Sequence, residues 1–158
     1  ARTFYTIDRV DASAHAAGAR GQAVSQKVEK IRRAELPAEG TVESGQLVEV
    51  ELVVESKNDY EYIIIEDMKP AGVEPVDLKS GYNGNEMGAY AEFRDEKVCF
   101  FVRRLARGKH SLSYRVRAET PGRFSAMPAT ISAMYAPELR GNADELKLRI
   151  TDVVEETR

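Results

Sequence analysis

Side chains that could perform catalysis are few in this chain and lie far apart. The two histidines are His15, in an alanine-rich stretch, and His110, after a basic turn. A hydrolase triad needs a nucleophile, a base and an orienting acid in one rigid, partly buried site. Neither histidine lies in a segment of that kind. Both are predicted to be surface residues, and no catalytic residue is assigned.

Metal and thiol chemistry also lack a strong sequence signal. Asn83-Gly84-Asn85-Glu86 could offer oxygen ligands to calcium, but it lacks the regular acidic spacing of a calcium loop and is interpreted as a polar turn. The single cysteine, Cys99, excludes an internal disulfide, and its place within a predicted strand favours a buried thiol over a nucleophile. We predict no metal site and no cofactor.

Charge is nearly balanced, with 23 basic and 26 acidic residues and a formal net charge of −3. This balance favours neither nucleic acid nor an anionic membrane as a partner. Arg103, Arg104, Arg107 and Lys109 form a basic turn, interpreted as a solvated hairpin tip, with docking on an acidic neighbour as the alternative. No apolar run approaches the roughly 20 residues of a membrane helix, and residues 1–10 lack the apolar core of a signal peptide.

The elements that would position these residues are strands. Residues 110–119 alternate between apolar and polar side chains, which is the period of a strand buried on one face. Two inward-facing sets are predicted, namely Leu112, Tyr114 and Val116 in one strand and Val98, Phe100 and Val102 in another. With a short strand from Tyr90, these segments predict a three-stranded meander over 90–119. Cys99 and Phe101, on the reverse face, indicate a second covering layer or a domain contact.

The remaining segments are less regular. Alternation over 47–55 and the isoleucine run at 63–65 predict two further strands, the second central in its sheet and covered on both faces. Residues 24–33 fit a helix or a strand, with strand slightly favoured, and residues 11–22 indicate a loop or linker. Residues 73–88 are predicted to be a long surface crossover with room for one short helix at 75–79.

The last third is predicted to contain two strands. Residues 124–135 form a strand interrupted by Pro128, residues 136–144 turn, and Leu146, Leu148 and Ile150 face inward in a final strand. About seven strands joined by turns predict an all-β fold, an antiparallel β-sandwich. We expect a lead-in or linker from a preceding domain over 1–25 and the sandwich domain over 26–158.

Three segments, in this order, carry a family resemblance: the turn Pro70-Ala71-Gly72-Val73-Glu74, the corner Arg117-Ala118-Glu119-Thr120-Pro121-Gly122-Arg123-Phe124 and the exit Met134-Tyr135-Ala136-Pro137-Glu138. Residues 42–150 resemble the C-terminal β-sandwich domain of bacterial alpha-2-macroglobulin-like proteins, the counterpart of the vertebrate receptor-binding domain. The resemblance implies a macroglobulin-type domain of a large extracytoplasmic protease trap, in the periplasm or secreted.

The resemblance also sets limits. In the family, a thioester motif, Cys-x-Glu-Gln, can attach the protease covalently, but Cys99 is followed by Phe100-Phe101-Val102. Vertebrate relatives present lysines of this domain to a receptor; Lys69 and Lys79 do not match them, so no binding residue is assigned.

The first hypothesis is therefore a non-enzymatic module of a bacterial protease inhibitor. Its partners are other domains of the same parent chain and, through the whole parent, proteases; no nucleic acid and no membrane contact are expected. The alternative is an immunoglobulin-like or fibronectin-like spacer or adhesion module of a bacterial surface protein. A carbohydrate-binding accessory domain is less favoured, because the chain has no tryptophan and most aromatic residues are predicted to face inward.

Overall fold

The computed structural model describes residues 1–17, 23–77 and 79–153. Of residues 9–30 it describes no side chains. Strands are the only regular elements in this part of the chain, which confirms the all-β prediction. None of its segments is a helix long and apolar enough to cross a membrane.

The described residues form fourteen strands. They are β1 (Arg2–Ala17), β2 (Ala23–Glu35), β3 (Glu39–Glu43), β4 (Leu47–Ser56), β5 (Tyr60–Met68), β6 (Val73–Pro75), β7 (Gly81–Tyr82), β8 (Tyr90–Phe93), β9 (Lys97–Leu105), β10 (Gly108–Ala118), β11 (Gly122–Ala126), β12 (Thr130–Ala133), β13 (Ala136–Asn142) and β14 (Leu146–Thr151).

These strands build three sheets. Sheet 1 has the order β2-β1-β4-β10-β6, sheet 2 the order β11-β14-β3, and sheet 3 the order β13-β12-β5-β9-β8-β7. Neighbouring strands are antiparallel except for β3 and β14, which are parallel. All three sheets contribute to one buried cluster, for example through Val50 from sheet 1, Leu148 from sheet 2 and Phe100 from sheet 3.

Alternation predicted the strongest strands correctly. Leu112, Tyr114 and Val116 are buried in β10, and Val98, Phe100 and Val102 are buried in β9. The inward residues of β4 and β14 are also buried, except that Val54 is only half-buried. Strand β5 lies between β12 and β9, so the central position inferred from the isoleucine run is confirmed. Cys99 is 1% exposed although it lies on the reverse face of β9.

The predicted meander over 90–119 is wrong in its last pairing. Strands β8 and β9 pair in sheet 3, but β10 leaves that sheet and pairs with β4 and β6 in sheet 1. The chain therefore crosses between sheets at the basic turn. Alternation specifies which side chains face the core, but it does not specify which strand provides the hydrogen bonds.

The loop predicted over 11–22 is wrong for residues 11–17, which continue β1. Residues 24–33, left open between helix and strand, belong to β2. Strand β1 pairs with β4 only from Arg2 to Ile7, and beyond that it pairs with β2 alone. A two-stranded arm of this kind has no sheet neighbour to impose a one-sided apolar pattern, which accounts for the missing periodicity. The domain boundary at residue 25 stays a prediction.

Two further segments differ from prediction. The helix considered at 75–79 is absent from the described residues: Pro75 ends β6, which pairs with β10, and the Val76 amide donates to the Arg115 carbonyl at 3.0 Å. Leu78 lies outside the described residues. The turn predicted over 136–144 is strand β13, an edge strand whose side chains are mostly exposed on both faces. Without a buried face, a strand shows no alternation. The chain passes from sheet 2 to sheet 3 around Pro128, where the sequence predicted an interruption.

Candidate functional site

A buried polar network joins the three sheets. The Arg2 guanidinium, from β1, lies 2.6 Å from Asp67 Oδ1 on β5, and the Tyr114 hydroxyl, from β10, donates to Asp67 Oδ2 at 2.8 Å. Arg2 also donates to the carbonyl oxygens of Ala126 at 2.8 Å and Met127 at 2.7 Å, at the end of β11. One guanidinium therefore bonds to groups from two other sheets.

The network is closed to solvent. The side chains of Arg2 and Asp67 are 1% and 0% exposed. Burial raises the pKa of the Asp67 carboxyl, while its bonds to Arg2 and Tyr114 oppose that shift. Burial also raises the pKa of Tyr114 well above its ordinary value, and the Asp67 carboxylate adds to the effect. Because these side chains are buried and bond to one another across three sheets, the arrangement holds the sheets together.

The first two motifs of the resemblance meet in space. Gly72 of the Pro-Ala-Gly turn accepts hydrogen bonds from the amides of Glu119 at 2.9 Å and Thr120 at 3.1 Å. A Cβ atom on Gly72 would lie 2.3 Å from Cε2 of Phe124, so the phenylalanine ring occupies the space of the missing side chain. The turn and the corner thus form one packing unit.

The candidate histidine and the basic turn have structural contacts. His110 is half-buried, and its Nε2 lies 2.8 Å from the carbonyl oxygen of Ala106. The Asp59 carboxylate accepts from the backbone amide of Arg107 at 2.7 Å, and Arg104 pairs with Glu61 at 3.4 Å. The side chain of His15 lies outside the described residues. No catalytic partner surrounds His110 in these contacts, and the absence of catalysis stays a prediction.

The asparagine segment forms a closed turn. Asn85 Nδ2 donates to Asn83 Oδ1 at 2.6 Å and to the Ala89 carbonyl at 2.8 Å, while Asn85 Oδ1 accepts from the Ala89 amide at 2.8 Å. These bonds engage the side-chain oxygens of Asn83 and Asn85, two of the ligands considered for calcium. Over the part of the chain that the structure describes, no three His, Cys, Asp or Glu side chains come close enough to hold a metal ion.

The cysteine and the two lysines considered from the sequence differ in their exposure to solvent. Burial raises the pKa of the Cys99 thiol, with Lys97 and Arg94 opposing the shift, so the thiolate is disfavoured. The Lys69 side chain is 4% exposed and pairs with Glu74 at 3.0 Å, so it is not available at the surface. Lys79 is exposed.

Exposed apolar side chains gather beside the third motif. Tyr135 is 82%, Met134 47% and Tyr62 42% exposed. The rings of Tyr62 and Tyr135 pack edge to face with centroids 5.3 Å apart, and the Met134 amide donates to the Tyr62 carbonyl at 2.8 Å. We call these three residues the aromatic knob. Exposed apolar groups that are contiguous in this way are candidates for a contact surface.

Backbone strain supports a special role for the aromatic knob. Tyr62 has a φ of 54°, and it is the one non-glycine residue with positive φ in the described part of the chain. This conformation is a genuine outlier for a bulky residue and costs of order 1–3 kcal/mol. The strain holds an aromatic ring in solvent, which adds nothing to the core.

Sequence reasoning missed Arg2, Asp67 and the aromatic knob. One signal was available for Asp67, because it lies in phase with the buried residues Ile63 and Ile65 on the inward face of β5. A charged residue at such a position needs a buried partner. The partner itself, 65 residues away in the chain, has no local signature.

The fold and these contacts define a β-sandwich module with a buried polar network and an exposed aromatic surface. A family model described as "Bacterial Alpha-2-macroglobulin MG10 domain" matches residues 16–138. The chain therefore belongs to the family of bacterial alpha-2-macroglobulin MG10 domains, and the resemblance inferred from the three motifs is confirmed.

Named relatives agree with this assignment. The chain is 31% identical over 121 residues to an alpha-2-macroglobulin homolog of Nostoc sp. and 28% identical over 131 residues to alpha-2-macroglobulin of Xylella fastidiosa. These alignments include 71% and 72% of this chain but only 6% and 8% of the relatives. The chain thus spans less than a tenth of the relatives that it matches, which carry it as one domain of a larger protein.

Solved structures show the same fold. Native alpha-2-macroglobulin from Escherichia coli, in a structure spanning domain MG7 to the C-terminus, matches with a TM-score of 0.59 at 24% identity, over 92% of this chain and 23% of that chain. Salmonella alpha-2-macroglobulin reacted with methylamine matches with a TM-score of 0.60 at 20% identity, over 94% of this chain and 13% of that one.

Proposed function

We propose that this chain is a non-catalytic C-terminal module of a bacterial alpha-2-macroglobulin-like protease inhibitor. The observation that carries the proposal is the MG10 family match over residues 16–138. The module has no protease-trapping activity of its own and works by packing against other domains of its parent. The parent acts outside the cytoplasm, in the periplasm or after secretion.

The aromatic knob is the surface through which the module contacts another domain. Its residue Tyr135, in the exit motif that follows β12, is 82% exposed. Burying large apolar side chains of this kind contributes roughly 1.5–3 kcal/mol each, which is gained only when a neighbouring domain covers them. The strained φ of Tyr62 is compatible with the same role, because strain is retained where the strained residue has a function.

The trap function is tested on the full-length parent. A broad-specificity protease is added with and without methylamine pretreatment, and cleavage, compaction by small-angle scattering and retention of the protease are measured. We expect a discrete cleavage, compaction and retained protease. Loss of retention after methylamine would show that a thioester participates. A parent that is merely degraded, without compaction, would contradict the proposal and favour a spacer or adhesion module.

The knob has a matched control within the chain. Tyr82 is 77% exposed and packs edge to face on Tyr90 at 5.2 Å, as Tyr135 packs on Tyr62 at 5.3 Å. Tyr135→Ser and Tyr82→Ser should lower the free energy of unfolding of the isolated domain by similar amounts, about 0.5–1.5 kcal/mol. In the parent, only Tyr135→Ser should lower the melting temperature further. Equal effects of both variants in the parent would argue against the knob as a contact surface.

A further inference from the structure

Sheet 2 exposes three cations on its outer face. Arg123 lies on β11, and Lys147 and Arg149 lie on β14, alternating with the buried residues Leu148 and Ile150. In the strand register Arg123 is directly opposite Arg149. We call Arg123, Lys147 and Arg149 the basic face. Its members point away from the core because side chains alternate across a strand.

This arrangement is unfavourable for the isolated domain. Like charges directly opposite each other on neighbouring strands destabilise a sheet. Within the described residues, none of the three cations has a carboxylate within 4.0 Å, whereas some cations on the other sheets, such as Arg33, Arg115 and Lys97, do. The chain as a whole has a net charge of −3, so this concentration of unpaired positive charge is local.

The basic face lines an open groove. The groove has a volume of about 530 Å³, and its walls include the hydroxyl-bearing residues Thr41 and Ser125 together with the three cations. Arginine forks bind carboxylates in a planar, two-bonded geometry, and hydroxyls can donate to the same oxygens. The groove therefore offers several donors to a small anionic group.

Two acidic side chains close to the basic face limit what can bind. Glu39, opposite Lys147 on β3, lines the same groove, and Glu145 accepts a hydrogen bond from Ser125. A long polyanion such as a nucleic acid, or an anionic membrane surface, would be repelled by these carboxylates. A short acidic peptide segment can place its carboxylates on Arg123 and Arg149, away from Glu39, which is opposite Lys147.

We infer that the basic face docks a short acidic segment of another domain of the parent chain, with carboxylates bound by Arg123 and Arg149. This inference rests on the proposed role as a packing module. Docking would relieve the repulsion between the two arginines, so the stability lost in the free domain is regained in the assembled parent. Association would weaken as salt concentration rises, because the attraction is between exposed charges.

The test uses the isolated chain and does not depend on protease trapping. A hexaglutamate peptide is titrated at low salt, and binding is followed by NMR chemical shifts. Arg149→Ser and Arg123→Ser should each weaken binding by about tenfold or more, the loss expected for a charge-assisted fork. Arg104→Ser is the control, because the Arg104 side chain is 80% exposed and lies on sheet 3. It should leave binding within about twofold.

A stability measurement separates docking from a structural role. The isolated domain with Arg149→Ser should unfold at the same or a higher urea concentration than the unmutated domain, because the substitution removes the like-charge pair. Lower stability in Arg149→Ser would overturn the inference, as would peptide binding that persists in this variant or falls equally in Arg104→Ser. Binding to phosphatidylglycerol vesicles or to inorganic phosphate, but not to the peptide, would also overturn it.

Discussion

Arg2 illustrates how one side chain can fix the relative positions of three sheets. Its guanidinium bonds to Asp67 of sheet 3 and to backbone carbonyls at the end of β11 in sheet 2, while Arg2 itself belongs to sheet 1. A buried ion pair gives little net stability compared with apolar residues of the same volume. It does penalise every arrangement of the sheets in which the two charges fail to meet.

Asp67→Asn tests this network. The substitution keeps the shape of the side chain but leaves the Arg2 charge buried without a counter-ion, so we expect a loss of about 3–5 kcal/mol in the free energy of unfolding. Glu61→Gln is the control, because it breaks the exposed pair with Arg104 and should cost less than about 1 kcal/mol. Both are measured by urea denaturation at neutral pH. Similar losses in the two variants would contradict the role assigned to Asp67.

Tyr114→Phe tests the raised pKa of the tyrosine. In the unfolded chain a tyrosine loses its proton near pH 10, whereas buried Tyr114 retains it in the folded state. The unfolded state then binds fewer protons, so stability falls as pH rises above about 10, by up to about 1.4 kcal/mol per pH unit from this group. Tyr114→Phe lacks this contribution.

The comparison is made between the original chain and Tyr114→Phe from pH 8 to about pH 11. At the low end of this range the variant should be less stable by about 1–3 kcal/mol, since Asp67 loses a buried donor. The difference in the free energy of unfolding between the two proteins should narrow above about pH 10. Only in the original chain does ionisation of Tyr114 in the unfolded state lower stability. Parallel stability curves across this range would show that Tyr114 ionises in the folded state.

Residue-scale features were only partly predictable from the sequence. The inward direction of Tyr114 followed from alternation, and so could that of Asp67, which continues the phase of Ile63 and Ile65. The partner of a buried charge is set by tertiary contacts, and Arg2 is 65 residues from Asp67 in the chain. Nor does any local pattern distinguish a strained, exposed Tyr62 from an ordinary strand residue.

At the scale of elements, the Phe124 ring of β11 packs against Gly72 in the turn between β5 and β6. Gly72→Ala would place a methyl group 2.3 Å from the phenylalanine ring, so overpacking should cost about 1–3 kcal/mol. Gly141→Ala is the control, since its nearest contact would be an ordinary 3.4 Å to Ile131 and it should be neutral or slightly stabilising. Thermal unfolding measures both.

A second variant identifies the cause. In Gly72→Ala/Phe124→Leu the smaller leucine leaves room for the methyl group, so the double variant should be less destabilised than the sum of the single variants. Additive effects would place the strain of Gly72→Ala in the backbone rather than in the contact with Phe124.

Element-scale prediction succeeded where one face of a strand is buried. Strands β4, β10 and β14 could be identified from alternation alone, because burial of every second residue leaves that pattern. Strand β13 is exposed on both faces and gave no pattern. The predicted pairing of β9 with β10 was wrong for another reason. Each strand buries its apolar face toward the core in either arrangement, as neighbours in one sheet or as members of different sheets, so alternation does not distinguish the two.

At the scale of the whole molecule, two surfaces have no partner within the described residues: the aromatic knob on sheet 3 and the basic face on sheet 2. They differ in chemistry, since one buries apolar area and the other pairs charge. The relatives of which this chain spans 6% and 8% are much larger proteins, so in the proposed parent neighbouring domains could cover both surfaces. Salt screens the attraction between charges but does not weaken apolar contacts, so high salt should weaken only the contact made by the basic face.

Methionine oxidation can show whether the aromatic knob is covered in the parent. In the isolated domain, hydrogen peroxide should oxidise Met134 and Met127 readily, because they are 47% and 60% exposed, and Met87 slowly, because it is 8% exposed. In the full-length parent we expect the oxidation rate of Met134 to fall toward that of Met87. Met127 and Met134 lie in one tryptic peptide, residues 124–140, so fragmentation of that peptide by tandem mass spectrometry is needed to separate their rates. Met87, in another peptide, is the internal reference for burial. If Met134 reacts equally fast in the isolated domain and in the parent, no neighbouring domain covers the knob, and packing must occur through another surface.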